Sequence, residues 1–438
     1  FIPYLAALIY PLAGEQEWVG RSISVIFYLV SLPFFFLFVR RIVSIHAALY
    51  AAAFYTITPL SIYAGRSFMS DMASLSLAII SMYPFSKWLD DPGKLKPLAF
   101  SGFALCLGIL AKPSAVIIGL PLLYLTYEKF RASLFKQREL WLFAFTVLVL
   151  PILWHTHAYH ISQTYAPYEN FGGGLVAIVS LQKYLLMFQE IFFSFRGVTF
   201  LLTILMAAGL FIVPSTQGRW FFHWWLLGMM IFVIVAGMGS HKHPWYSLQF
   251  VPVAAFFSGR ALDYIISKIS VLTNSLKFRG AFLASIFSVT GLISWEGIKH
   301  YYDDWNIDSR HAGLALHRST PSDSLILAAS YEDPTIFYYS NRKGWFFPSR
   351  WFYSDDAIGN LEQCRKAGAD YFLINKYELF PDQYPQFIKH LEDNYRYFLK
   401  TDDFWIFDLR INETSNAGSA DIQSKHHCRI ETSSNRPY

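Results

Sequence analysis

The sequence has 438 residues, of which 54% are hydrophobic and only 15% charged, with a net charge of +5. A soluble domain carries about a quarter charged residues, so the deficit argues against a soluble globular chain, and the slight basic excess carries no nucleic-acid signal. The cysteines Cys106, Cys364 and Cys428 are odd in number and far apart, which excludes a disulfide framework; a Cys364–Cys428 bridge stays open only if both face an oxidising space.

In chain order, Phe1 stands inside an apolar run with no initiator Met or signal peptide, so the sequence is expected to lack its true start. Residues 1–14 are apolar but short, which predicts a helix lying at a membrane interface. Apolar runs long enough, or nearly so, to cross a bilayer then follow one another with short polar breaks. They predict spans at 19–39, 46–63, 72–88, 97–111, 113–127, 140–156, 198–213, 220–237, 247–267 and 281–294.

The stretch 97–127 is apolar except for Lys112 and Pro113 at its centre. One long helix would place an ammonium near the bilayer midplane, a cost of several kcal/mol, and Pro113 would remove a helix hydrogen bond. Two short spans joined by a turn avoid both. The flanking loops decide it: Lys87, Lys94 and Lys96 before, Lys129, Arg131, Lys136 and Arg138 after, are all basic. Basic loops lie on the cytoplasmic side, and two such flanks need an even number of crossings. The same rule places Arg40, Arg41, Arg219, Lys268, Lys277 and Arg279 inside. Arg21, Arg66, Lys112, Lys183, Arg196 and Lys242 fall outside, as do both ends of a ten-span chain.

The outer segment 157–197 holds Gly172, Gly173 and Gly174 beside aromatics, which suits a flexible binding loop, and 181–195 reads as a surface helix. From 295 to 411 charged residues become frequent and apolar runs shrink to strand length at 325–329, 335–339, 371–374 and 404–409. Between them 358–367 and 383–394 read as amphipathic helices. That alternation predicts a small α/β domain outside the membrane. Residues 412–438, rich in Ser, Asn and Thr, read as a disordered tail.

The candidate site residues gather on the outer side. Arg66 and Asp71 bracket a turn at a helix start, where Asp71 is either a helix cap or a chemical group. Lys112 tops a hairpin whose arms span roughly 22 Å at helical rise, short enough to leave the tip within a cavity; it either snorkels to headgroups or meets a phosphate. His241, Lys242, His243, Trp245 and Tyr246 crowd one helix end. His-x-His gives only two metal ligands, and His155, His157 and His160 share no helical face, so no metal site is assigned.

These pieces resemble the GT-C superfamily of polyprenyl-phosphate-dependent glycosyltransferases, in the branch of protein O-mannosyltransferases and lipid A aminoarabinose transferases. The matching residues are Gly20-Arg21, Thr58-Pro59 leading to Arg66 and Asp71, Gly108 to Lys112-Pro113, and His243-Pro244-Trp245-Tyr246 before the span bearing Pro252. The resemblance covers about residues 1–295, and the Arg66–Asp71 loop and the Lys112 hairpin are specific only as a pair. It implies a polytopic α-helical membrane protein of GT-C-like fold with a small C-terminal α/β extracytoplasmic domain, in the plasma (inner) membrane. The domains would be 1–294, 295–411 and the tail. It further implies inverting transfer of a sugar from a polyprenyl-phosphate donor to a lipid, glycan or protein acceptor on the outer face, without a metal or other cofactor.

Asp71 then stands as a supporting acid. The main base of the family lies in a first outer loop, expected upstream of Phe1, which would leave this stretch inactive alone. Arg66, Lys112, Arg196, His241, Lys242, His243 and Tyr246 become contacts of the donor phosphate. A transporter or flippase of lipid-linked sugars would use the same lipid groove, yet it should carry ionisable groups at mid-span and often repeated halves. Here the charges gather at one face. A structural membrane subunit would explain the C-terminal domain but not Arg66, Asp71 and Lys112.

Overall fold

The computed structural model describes residues 2–164, 178–213, 216–237, 243–273, 275–302, 307–330, 333–352, 356–375 and 384–410. Two compact units result, Phe1–Asp303 and Asp304–Tyr438. The glycine-rich loop and the tail from 412 lie outside the described residues.

The first unit is helical: α1 (Ile2–Ala13), α2 (Glu17–Ile42), α3 (Ile45–Ile57), α4 (Pro59–Arg66), α5 (Ser70–Asp90), α6 (Leu95–Ala111), α7 (Gly119–Phe130), α8 (Arg138–Thr164), α9 (Leu181–Phe193), α10 (Phe200–Leu210), α11 (Phe221–Val235), α12 (Phe250–Leu272) and α13 (Leu276–Ile298). Each expected span falls on a helix. Among the described residues, however, only α2, α8, α12 and α13 are long and apolar enough to cross by themselves. A fifth crossing counts α3 and α4 together, which meet at a bend of 62° where a single span 46–63 was expected. The cause is Pro59: it brings no amide proton to the helix ladder and starts α4 at its first position, while the Thr58 hydroxyl donates back to the Phe54 carbonyl. The apolar α6, α10 and α11 have 17, 11 and 15 residues, short of the ~20 that a ~30 Å hydrocarbon core asks of a helix.

Helix α5 is buried along nearly its whole length and packs on α2 and α6. Helix α8 does the opposite. Leu142, Phe145, Ile152 and Leu153 on it are all exposed, a surface stable only when lipid covers it. Small residues set the closest approaches inside. A Cβ on Gly259 of α12 would lie 2.5 Å from the Ala51 backbone nitrogen of α3, so only glycine lets those helices touch. The Ser44 hydroxyl at the start of α3 accepts from Ala47 N–H and donates to Asp263 of α12, fixing the same contact.

The hairpin forms as the residues require. Helix α6 ends at Ala111, Lys112 takes an extended conformation, and a 3-10 turn over Pro113–Ile118 leads into α7. The chain is thus broken at the one place where a continuous helix would bury both a lysine and a proline.

The second unit is a five-stranded mixed sheet: β1 (Leu325–Ala329), β2 (Lys343–Phe346), β3 (Tyr371–Asn375), β4 (Arg396–Lys400) and β5 (Phe404–Asp408). The order is β2-β1-β3-β5-β4, parallel for β2-β1-β3 and antiparallel for β3-β5-β4. Helices over 307–319, 357–366 and 385–394 accompany it. One strand expectation fails: residues 335–339 lie in the helix Thr335–Ser340. Asp333 turns the chain into this helix, its carboxylate accepting from both the Thr335 amide, at 2.9 Å, and the Thr335 hydroxyl, at 2.6 Å. The strands at 343–346 and 396–400 had no counterpart in the sequence reading. Cys364 is buried in this unit's core; Cys428 lies outside the described residues.

Candidate functional site

The site is built where α4, α5, α6 and the turn before α12 come together. Helix α4 ends at Arg66, three residues turn the chain, and α5 starts at Ser70 with Asp71 in its first turn. The capping position belongs to Met69, which has no capping side chain, so Asp71 is not the cap that its place in sequence allowed. Its carboxylate accepts a hydrogen bond from the Lys112 ammonium across the hairpin. Asp71 is buried and Lys112 half-buried, with side-chain exposures of 8% and 17%.

Two further elements hold Lys112. Its ammonium lies 4.1 Å from the centre of the Tyr246 ring, within range of a cation–π attraction. The Ser74 hydroxyl, one helical turn beyond Asp71, reaches the Gly108 and Lys112 carbonyls at 2.9 and 3.2 Å. Gly108 permits that approach, since a Cβ there would stand 3.2 Å from the Ser74 carbonyl oxygen. A His155 ring nitrogen is 3.0 Å from the Ile109 carbonyl and brings α8 to the same hairpin end. The 3-10 turn Pro244–Ser247 carries Tyr246, and His243 stacks on Trp245 and Tyr246 at 4.8 and 5.9 Å between ring centres. His243 also lies within electrostatic reach of Asp71.

Arg66 belongs to a second group. One guanidinium nitrogen donates to the Tyr301 carbonyl at 3.3 Å, and the plane sits 4.0 Å from the Tyr302 ring centre. Its Nη1 is buried with no hydrogen-bond partner among the described residues. Tyr63 bridges the groups: its ring packs 4.4 Å from Tyr301, and it feels the charges of both Asp71 and Arg66. Gly20 serves the same region, because Phe68 covers it so closely that a Cβ would meet the ring at 2.5 Å.

Arg196 stands apart from Asp71 and Lys112. It is exposed, in the turn between α9 and α10, where Ser194 accepts from the Arg196 and Gly197 amides, both at 3.1 Å. That turn rests on Gly297 of α13, where a Cβ would clash with the Phe195 carbonyl at 1.8 Å. It therefore lies near the Tyr301 and Tyr302 end instead. His241 and Lys242 lie outside the described residues. Among those described, no three His, Cys, Asp or Glu side chains are grouped to hold a metal ion.

Tyr63, Ser74, Tyr301 and Tyr302 were not singled out in sequence. Ser74 had one legible signal, its i+3 spacing from Asp71, which places both on one helical face. The two tyrosines had none, being more than 230 residues beyond Arg66.

A half-buried ammonium held against a buried carboxylate is an arrangement that can receive an anionic group. Residues 1–155 match the family described as dolichyl-phosphate-mannose-protein mannosyltransferase. No curated protein matches the chain significantly. Among solved structures, ArnT from Cupriavidus metallidurans bound to undecaprenyl phosphate aligns with a TM-score of 0.63 at 12% identity, covering 95% of this chain and 88% of that one. The oligosaccharyltransferase AglB from Archaeoglobus fulgidus, in complex with an inhibitory peptide and a dolichol-phosphate, aligns at 0.57 and 13% over 92% and 65%. The arabinofuranosyltransferase AftD from Mycobacteria aligns at 0.56 and 15% over 94% and 35%. The chain is a membrane protein with the GT-C glycosyltransferase fold that ArnT, AglB and AftD share.

Proposed function

We propose that the protein transfers a sugar from a polyprenyl-phosphate donor to an acceptor on the outer face of the plasma (inner) membrane. The observation that carries this reading is the half-buried Lys112 ammonium, held by Asp71 and capped by the Tyr246 ring. In this reaction an acceptor hydroxyl gives its proton to a general base as its oxygen attacks the anomeric carbon, the bond from that carbon to the phosphate oxygen breaks, and the polyprenyl phosphate leaves with the electron pair. Attack from the opposite face inverts the anomeric centre. The leaving phosphate gains charge in the transition state, and cations already desolvated and aimed stabilise it more than water would.

Lys112 is placed to share its protons between Asp71 and a phosphate oxygen. Arg66 brings its Nη1, which has no hydrogen-bond partner among the described residues, and Tyr246, with His243 stacked on it, flanks Lys112. His241 and Lys242, which precede His243 in sequence, and Arg196 would add further contacts to the donor phosphate. Asp71 orients Lys112 through their hydrogen bond and supports positive charge developing on the sugar ring. Side-chain cations supply the neutralisation, so no metal is assigned a step. A lipid, glycan or protein could offer the acceptor oxygen.

The test is binding of undecaprenyl phosphate to the purified protein and its Lys112→Met variant, which keeps the stem of the side chain and removes the charge. We expect a loss of tenfold or more, with little change when decaprenol lacking the phosphate is the ligand. Equal affinity of variant and wild type for the phosphate would sink the assignment.

A further inference from the structure

A second site lies at the opposite end of the first unit. Helix α5 runs from Asp71 at one end to Asp90 at the other, about 30 Å away at 1.5 Å per residue, and Asp90 pairs there with Arg41. Helix α7 leads away from the Lys112 hairpin toward this same end. Between α7 and the start of α11 opens a cleft of about 590 Å³, lined by Tyr124, Tyr127, Arg131, Arg219, Trp220 and Trp224. Nothing in the proposed transfer reaction uses it.

The cleft is built. The turn before α11 is fastened to α7: Glu128 accepts from the Gly218 amide at 2.7 Å and from the Tyr124 hydroxyl at 3.0 Å. Gly218 makes this possible at φ +82°, with Leu125 and Ile42 close behind it. The Tyr124 hydroxyl in turn accepts from the Trp220 amide and feels the Arg219 charge. With Glu128 so engaged, Arg131 and Arg219 line the cleft and make no ion pair among the described residues. Two guanidinium groups against one carboxylate leave it net positive.

Arg131 adds a sign of constraint. It ends α7 at φ 51° and ψ −135°, a conformation that a side-chain-bearing residue seldom takes. The bend turns its guanidinium back over Tyr127, 5.4 Å from the ring centre. Deeper in, His223 lines the cleft with Nδ1 buried and without a hydrogen-bond partner among the described residues. Its other ring nitrogen lies 3.1 Å from the Leu210 carbonyl.

We propose that this cleft holds the phosphate headgroup of an anionic membrane phospholipid, with Arg131 and Arg219 as the phosphate contacts. The aromatic walls choose a lipid over a free anion. Tyrosine and tryptophan rings favour the level where headgroup meets acyl chain, and Tyr124 and Trp224 stack 6.2 Å apart to form one such wall. Inorganic phosphate would leave those rings unused. Basic pockets between membrane helices bind lipid headgroups by this combination of charge and apolar wall.

The test is native mass spectrometry of the delipidated full chain in neutral detergent, titrated in separate arms with phosphatidylglycerol, phosphatidylcholine and inorganic phosphate. The wild type should retain one phosphatidylglycerol at least tenfold more tightly than phosphatidylcholine. Arg131→Gln/Arg219→Gln should remove that preference and leave phosphatidylcholine retention unchanged, while Arg131→Lys/Arg219→Lys, with the charge restored, should recover part of it at an unaltered melting temperature. Equal retention of the two lipids by the wild type overturns the proposal. So does a preference that survives the glutamine variant, or displacement of the lipid by millimolar inorganic phosphate. Because the arginines lie at the other end from Lys112, binding of undecaprenyl phosphate should be the same in all these variants.

Discussion

Asp71→Asn separates a helix-start role from a paired-charge role, since asparagine serves a helix start about as well as aspartate. A cap alone would make the change nearly neutral, well under about 1 kcal/mol. The observed arrangement gives a different expectation. The substitution leaves the Lys112 ammonium buried without its carboxylate, and stranding one partner of a buried pair costs about 3–5 kcal/mol. The Tyr246 ring 4.1 Å away recovers part of it, a cation–π contact giving about 0.5–2 kcal/mol. Lys112, at 17% side-chain exposure, also has some access outward. About 2–3 kcal/mol remains.

Lys112→Met should cost a similar amount by stranding Asp71. The double variant Asp71→Asn/Lys112→Met should be more stable than either single one, because no buried charge is left. Intrinsic tryptophan fluorescence during heating in detergent, at one fixed scan rate, reads this out. Each single variant should melt roughly 5–10 °C lower, given about 2–4 °C per kcal/mol for a large domain. In the full-length protein, sugar transfer should fall about a hundredfold or more in Asp71→Asn and stay low in the double variant despite its recovered stability. Additive effects of the two substitutions on melting would refute the pairing. Full turnover by the stable double variant would refute the chemical role.

Two other outcomes follow from the same geometry. Ser74→Ala removes the hydroxyl that holds the Gly108 and Lys112 carbonyls; it should lower stability by about 1 kcal/mol and weaken undecaprenyl phosphate binding severalfold, whereas Ser74→Thr should keep more of both. In the sheet unit, burial works to raise the Glu362 carboxyl, but hydrogen bonds from Tyr395 and Arg365 outweigh it and hold the group below its ordinary 4.5. A lowered folded pKa contributes stability above the unfolded value, and that stability is lost as pH falls through the folded one. Amide exchange in the helix over 357–366 should therefore accelerate below about pH 4.5 in the wild type relative to Glu362→Gln, compared by mass spectrometry at matched pH; identical profiles would remove Glu362 from that account.

The sequence by itself determined where the first unit is helical. In hydrocarbon every backbone polar group must be satisfied inside its own segment, so long apolar runs have few alternatives to helix. It also determined the break at Lys112 and Pro113, because a buried lysine and a missing amide proton penalise the continuous helix locally. It did not determine the kink at Thr58 and Pro59 within one apolar run, nor the helix at 335–340, whose β-prone residues yield to the turn that Asp333 makes with Thr335. The small residues of α3 and α12 are visible in sequence, but that Gly259 faces Ala51 is not. Above all, the partner of each charge was settled only in three dimensions. Asp71 was read with Arg66, five residues away, and it is bound to Lys112, 41 residues away, while Arg66 turns to Tyr301 and Tyr302. Local spacing fixes which residues share a helical face; which helix ends converge is fixed by packing between segments far apart in the chain, and the site exists only at that convergence.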